Sequence, residues 1–462
     1  MSRNSHRARA KEPLADPSAP DAPILEVESL DHEGRGVGHA NGKVIFVEGA
    51  LTGERVSYAS RRKKASYEIA EIGRILSSSP ARVVPRCPHF GTCGGCSMQH
   101  LETTSQVAVK QRILEDNLWH IGKVRPDQML PPIHGPSWGY RHRARLSVRL
   151  VEKKGGVLVG FHEKGSSFVA DMRECHVVPP HISALLVPLR DLVASLSIAR
   201  RLPQIELAIG EGESERDLVT TLVLRILEPL DPADEDKLTV FAARHDITFW
   251  LQPKGPDTIV PFGREAASEL SYGLPEFGVR IYFTPTDFTQ VNAHINRVLV
   301  GRALRLLDVQ PDDRVADLFC GLGNFSLPIA TRAREVVGVE GSGAMTRRAA
   351  INAERNGLGD KVSFEVANLF EVDEAFFERI GHVDRMLIDP PREGAVAVVK
   401  ALSSRGAMSP QRIVYVSCNP STLARDAAVL VHEGGYAMRQ AGIVNMFPQT
   451  SHVESIAVFD RI

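Results

Sequence analysis

The chain has 462 residues, 55 Lys and Arg against 56 Asp and Glu, and 43% hydrophobic residues, the balance of a globular protein with room for two or three cored domains. No run approaches the about 18 apolar residues of a membrane span, and the basic start M-S-R-N-S-H-R-A-R-A-K has no apolar stretch behind it, so neither a membrane nor a secreted protein is expected. Six cysteines are too few for a disulfide scaffold at this length, and a reducing compartment, the cytoplasm, is the expectation.

Residues 1–22, polar with interspersed Pro and Ala, read as a disordered basic tail carrying Arg3, Arg7, Arg9 and Lys11. From Val27 to Leu76, short β-like runs punctuated by glycine predict a small five-stranded barrel of the oligonucleotide-binding kind, assigned to 23–80. It contains the R-R-K-K run Arg61–Lys64. The compact C-x5-C-x2-C run Cys87, Cys93, Cys96 follows, and 103–120 reads as a helix with Val107, Leu114 and Leu118 on its apolar stripe. Residues 81–280 read as a mixed α+β central domain, strand-rich after 140. There Arg141, Arg143 and Arg145 alternate, which in a strand puts three guanidiniums on one face. Each basic cluster alone fits solvated surface; three in one chain point to a polyanionic partner.

After Asp313, apolar strands ending near Phe319, Glu340, Asn368, Asp389 and Ser417 alternate with helical segments, the pattern of a largely parallel sheet covered by helices. Ligands of such α/β sheets bind beyond the carboxyl ends of the strands, so the polar residues closing these strands are the candidates. In V-A-D-L-F-C-G-L-G-N-F, Asp317 precedes Gly321 and Gly323, which permit a tight turn and close approach of backbone to ligand. Glu340 closes the next strand, where a carboxylate suits a ribose diol. The departure from G-x-G-x-x-G, and the absence of a P-loop motif, point to a nucleoside without pyrophosphate.

Cys418, in V-S-C-N-P at a strand end, is a candidate nucleophile, weighed against the small buried hydrophobe that free cysteine often is. Cys320 reads as a pocket-wall residue. Asp389 opens D-P-P-R, whose two prolines lack amide donors and leave backbone carbonyls free for a base edge, with Arg392 available to phosphate. Cys87, Cys93 and Cys96 offer three thiolates from one loop, and the remote Cys175 a fourth. Sulfur ligation of this kind suits either zinc or an iron–sulfur cluster.

The motifs F-T-Q-V-N, D-L-F-C-G-L-G-N-F-S-L-P, I-D-P-P-R, Y-V-S-C-N-P-S-T-L and H-V-E-S occur in this order over 282–462. In them the chain resembles the class I, S-adenosylmethionine-dependent RNA (uracil-carbon-5)-methyltransferases. I-F-V-E-G-A-L-T-G-E resembles their TRAM domain, and the cysteine run their [4Fe–4S] motif. The resemblance implies a Rossmann-like methyltransferase domain at 281–462, behind an OB-like TRAM barrel and a cluster-bearing central domain. It implies Cys418 as nucleophile, Glu454 as base, and Gln290, Phe319, Asn324, Glu340 and Asp389 around the methyl donor, together with Asn368 or a neighbour, since the spacing there departs from the family's. Cys87, Cys93, Cys96 and Cys175 would hold the [4Fe–4S] cluster. Members with both TRAM domain and cluster include those that methylate uracil 1939 of 23S rRNA. The implied partner is therefore 23S rRNA, free or partly assembled, with no membrane and no obligate protein partner. The target base would have to be flipped out of its stack to reach the thiol.

Overall fold

The computed structural model describes residues 16–212, 217–263, 269–404, 406 and 409–462. The chain divides into two compact units, Met1–Val84 with Met98–Ser105, and Pro85–Ser97 with Gln106–Ile462. Among the described residues no helix is long and apolar enough to cross a membrane.

The first unit is built on β1 (Ile24–Glu26), β2 (Ser29–Leu30), β3 (Gly36–Ala40), β4 (Lys43–Glu48), β5 (Arg55–Lys63) and β6 (Tyr67–Ser77), in the order β1-β5-β6-β4-β3-β2. Among the described residues there are six strands rather than the five expected. The first run splits because the Val27 amide turns to the Glu54 carbonyl while Glu28 bonds Val37. Leu25, Ile45, Val47, Val56 and Tyr58 form the core. Gly38 lets β3 lie against β1, since a Cβ there would sit 2.4 Å from the Glu26 carbonyl oxygen. Arg61–Lys64 are exposed at the end of β5, Arg61 paired with Glu71. The tail expectation needs correcting over 16–22: Ser57 Oγ donates to the Pro17 carbonyl at 2.7 Å and Arg74 Nη2 to the Ala19 carbonyl at 3.1 Å. Arg3, Arg7, Arg9 and Lys11 lie outside the described residues.

Helix α1 (Thr103–Asn117), which belongs to the second unit from Gln106 on, runs into a π-helical turn at Leu118–Gly122. Of the predicted stripe, Leu114 and Leu118 are buried while Val107 is half-buried, and the buried face also carries Ile113, Gln106 and Lys110. After β7 (Gln128–Met129) come β8 (Arg143–Val151), β9 (Gly156–Gly160), α2 (Pro180–Ser195), β10 (Gln204–Glu211), β11 (Leu218–Arg225), α3 (Pro232–His245), β12 (Thr248–Gln252), β13 (Val260–Pro261), β14 (Leu270–Leu274) and β15 (Val279–Phe283). The sheet order is β13-β12-β11-β10-β14-β15, with β8 joining β10 to β9. The expected row of three guanidiniums on one strand face is not complete, because Arg141 lies outside the strand. Strand β8 starts only at Arg143, whose Nη2 donates to the Asp287 carbonyl at 2.7 Å; Arg141 bonds the Arg143 carbonyl, and Arg145 meets Glu206 at 3.1 Å across the β8–β10 pair.

The same unit continues as α4 (Ala293–Leu307), β16 (Arg314–Leu318), α5 (Ser326–Ala330), β17 (Glu335–Glu340), α6 (Gly343–Arg355), β18 (Val362–Val366), α7 (Glu374–Ile380), β19 (Arg385–Ile388), α8 (Val396–Ser404), β20 (Arg412–Ser417), α9 (Pro420–His432), β21 (Tyr436–Val444) and β22 (Glu454–Arg461). The order is β18-β17-β16-β19-β20-β22-β21-β7, parallel through β20, with β22 antiparallel between β20 and β21. Strand order reverses between β16 and β19, which opens a crevice at their carboxyl ends. Alternate residues of each strand go to opposite cores: Leu318, Ile388 and Tyr415 to one, Val315, Leu387 and Val414 to the other.

Candidate active site

Beyond β16 the backbone turns hard. Phe319 has φ of +64°, a left-handed conformation costly for an aromatic residue, and Gly321 and Gly323 follow at +56° and +89°. The turn brings the Gly321 amide to Glu340, whose carboxylate also accepts from the Ser342 amide, at 3.2 and 3.0 Å. The Phe319 ring meets Phe370 at 5.7 Å between centroids. Asn368 is exposed just past β18, and its Oδ1 accepts from the Phe370 amide at 3.2 Å. Phe319, Glu340 and Asn368 thus share one rim, an aromatic surface beside a carboxylate.

Asp317 lies beneath that rim, fully buried. Ser326 Oγ donates to its Oδ2, while Oδ1 has no hydrogen-bond partner among the described residues. Burial, reinforced by Asp389, pushes its carboxyl up to about 7. Asn324 is placed less openly than the sequence implies: its Oδ1 accepts from Tyr272 Oη and Asn296 Nδ2, both at 2.9 Å, and its Nδ2 returns a bond to Asn296 Oδ1 at 3.0 Å. Tyr272 of β14 and Asn296 of α4 are partners of Asn324 that the sequence does not single out. Gln290 lines a small cavity with both of them.

Across the crevice, β20 ends at Ser417 and Cys418 follows, half-buried. Asn419 caps α9 by accepting from the Ser421 amide at 3.0 Å, and Pro420 occupies the first helical position, where its missing amide costs nothing. The D-P-P-R loop is tied to this helix. The Arg392 carbonyl accepts from Asn419 Nδ2 and Thr422 Oγ1, and the Glu393 carbonyl from Arg425 Nη2. Buried Asp426 receives the Ala395 amide and the Tyr415 hydroxyl at 2.7 and 2.6 Å. The carbonyls of Arg392 and Glu393, which follow the two prolines, are therefore engaged by α9 and its cap.

Glu454 opens β22 one residue before Ser455, which pairs with Ser417, so Cys418 and Glu454 flank one cross-strand pair. Burial pushes the Cys418 thiol up to about 12, with the Glu454 and Asp389 carboxyls adding to it and Arg392 opposing. Burial, then Asp389, holds the Glu454 carboxyl well above the usual range, and burial alone takes Asp389 to about 7. Three acids thus share one desolvated space. His452 stands at its edge, its Nδ1 3.3 Å from Arg392 Nη2; burial and then Arg392 push it down to about 4, so it is a neutral acceptor.

The cysteine loop forms a second cluster. Cys87, Cys93 and Cys175 are buried and Cys96 is half-buried. Burial pushes Cys93 up to about 11, with Cys175 and Cys87 adding to the rise, and Cys175 is raised by burial and by Cys87. Cys96 and Cys175 both act on Tyr140. The donor chemistry suits a thiolate-bound metal or cluster, although among the described residues no three Cys, His, Asp or Glu side chains stand as a metal-ligand group. Cys320 is buried against Gly338, where a Cβ would sit 3.1 Å from its sulfur. Burial, then Asp317 and Glu340, pushes its thiol far up.

The strand order, the glycine turn after β16 and the acids at the strand ends define a class I methyltransferase fold. The family model of tRNA (Uracil-5-)-methyltransferases matches residues 278–462. The protein of Bordetella avium (strain 197N) named 23S rRNA (uracil(1939)-C(5))-methyltransferase RlmD is 62% identical over 440 residues, 95% of this chain and 91% of that one. Its namesake from Cupriavidus pinatubonensis is 62% identical over 465 residues, 98% and 99% of the two chains. The crystal structure of Pyrococcus abyssi tRNA (uracil-54, C5)-methyltransferase in complex with S-adenosyl-L-homocysteine superposes with a TM-score of 0.70 at 23% identity, covering 95% of this chain and 100% of that one. The chain belongs to the family of the 23S rRNA (uracil(1939)-C(5))-methyltransferases RlmD.

Proposed function

We propose that this protein methylates carbon 5 of uracil 1939 in 23S rRNA, giving 5-methyluridine. The observation that carries the reading is the placement of Cys418 and Glu454 around one cross-strand pair, beside Asp389 and Arg392. Carbon 5 of uracil is a poor nucleophile. Once ionised, the Cys418 sulfur adds to carbon 6 and sends the ring electrons to oxygen 4 and carbon 5. Carbon 5 then takes the methyl group that S-adenosylmethionine supplies, the sulfonium–methyl bond breaking with its electron pair left on sulfur as S-adenosylhomocysteine. Glu454 removes the carbon-5 proton, and the carbon–sulfur bond breaks with its electron pair returning to Cys418. Phe319, Glu340, Asn368 and Asp389 line the donor's side of the crevice, and Gln290 with the Asn324–Asn296 pair closes it.

Cys87, Cys93, Cys96 and Cys175 hold a [4Fe–4S] cluster in this reading. Methyl transfer consumes no electrons, so the cluster's role is to fix the loop. Residues 23–80 act as a TRAM barrel binding RNA through phosphates, 81–280 as the cluster-bearing domain and 281–462 as the methyltransferase. The RNA is met in the cytoplasm, free or partly assembled, without an obligate protein partner. Mapping 5-methyluridine in ribosomal RNA from a strain lacking this gene tests the reading. The modification should vanish from position 1939 and return with the wild-type gene, but not with Cys418→Ala. A 1939 methylation that survives the deletion, or that Cys418→Ala restores, overturns it.

A further inference from the structure

Residues 445–453, which carry the chain from β21 to Glu454, have no helix or strand of their own, yet 445, 446, 448–450 and 453 are buried. A buried loop must find partners for its backbone groups elsewhere. Lys110 Nζ donates to Asn445 Oδ1 at 2.7 Å and to the Phe447 carbonyl at 2.9 Å, and Tyr140 Oη donates to the Pro448 carbonyl at 2.8 Å. The Gln449 amide donates to Gln106 Oε1 at 2.9 Å, and Gln106 Nε2 returns a bond to Gln449 Oε1 at 3.0 Å. Ser97, the residue after Cys96, closes the set: its amide donates to the Gln449 carbonyl at 3.0 Å, and its Oγ accepts from the Ser451 amide at 2.9 Å. These bonds hold Gln449 at φ of +68°, a conformation that a non-glycine residue keeps only under restraint.

We propose that Ser97 and Gln106 are positioning residues for the proton-abstraction step. Acting through Gln449 and Ser451, they fix the loop three residues before Glu454, which makes the cysteine loop a brace for the general base. The inference rests on the reading of Glu454 as that base. A base works only within hydrogen-bond reach of the proton it takes, so loosening this loop slows carbon-5 deprotonation while leaving thiol addition to Cys418, on another strand, unaffected.

The test uses the full chain with an in-vitro transcript spanning position 1939 and labelled S-adenosylmethionine. Methyl incorporation into total RNA and release of free methylated RNA from the covalent adduct are followed in one turnover. Ser97→Ala and, independently, Gln106→Leu should leave incorporation within about threefold of the parent and slow release about tenfold, the effect of one buried amide losing its partner. Adduct should accumulate, amide exchange at Ser451 should quicken, and Ser97→Thr should restore release. If the parent turns over while both variants partition as it does, or if incorporation falls as much as release, the brace is overturned and the proposed function stands. A parent that forms no 5-methyluridine overturns both.

Discussion

The Cys418 thiol offers a direct test of the site's electrostatics. Its rise to about 12 comes first from burial and then from Glu454 and Asp389, against Arg392. An ordinary cysteine titrates near 8.5, and only its thiolate is alkylated, so its rate with iodoacetamide gains about fourfold between about pH 8 and pH 10 before levelling off. Cys418 should gain about 100-fold over the same range without a plateau, because its thiolate fraction rises from about one in 10,000 to about one in 100. Quantifying the labelled peptide that contains V-S-C-N-P, with glutathione as reference in the same buffer, gives the profile. Glu454→Gln removes a neighbouring carboxyl and should make the thiol more acidic and faster at each pH. Arg392→Met should do the opposite. S-adenosylmethionine, cationic at sulfur, should also speed alkylation relative to the neutral S-adenosylhomocysteine. A parent profile that saturates near pH 9, or one that Glu454→Gln leaves unmoved, would refute the argument that burial and carboxyl repulsion hold this thiol protonated.

Asp426→Ala strips the buried Ala395 amide and Tyr415 hydroxyl of their acceptor. It should lower stability by about 2–4 kcal/mol in denaturant unfolding and loosen the D-P-P-R loop, seen as faster amide exchange at Ala395. Neutralising Arg61, Arg62, Lys63 and Lys64 together should weaken RNA binding and flatten its salt dependence by up to about 0.9 for each phosphate no longer neutralised, with donor affinity unchanged in calorimetry. Anaerobically purified protein should be brown with about four irons per chain, and Cys175→Ser should lose iron as readily as Cys93→Ser; zinc in place of iron would contradict the cluster assignment.

Much of the catalytic domain is legible in the chain because its determinants are local. Strand–helix alternation after Asp313 follows from apolar periodicity, and the carboxyl-end rule points to Glu340, Asp389 and Cys418, whereas Phe319 as a donor contact rests on the family resemblance. The glycines after β16 announce a turn that the structure contains. Polar residues whose partners are remote were not legible. Gln106 and Lys110 sit on a helix face that periodicity assigns to the core, and their reason for being polar is a loop more than 300 residues away. Asn324 looks like a ligand contact from its motif, yet its amide is also spent on Asn296 and Tyr272. The alternation of Arg141, Arg143 and Arg145 promised a basic face, but where β8 begins and what covers Arg143 depend on the turn at Asp287. Sequence determined which residue types stand at the strand ends, because backbone periodicity is a property of neighbours. Only the tertiary structure decided which buried polar groups meet, because each must find its hydrogen bond across the fold and leaves no trace of that partner in the residues beside it.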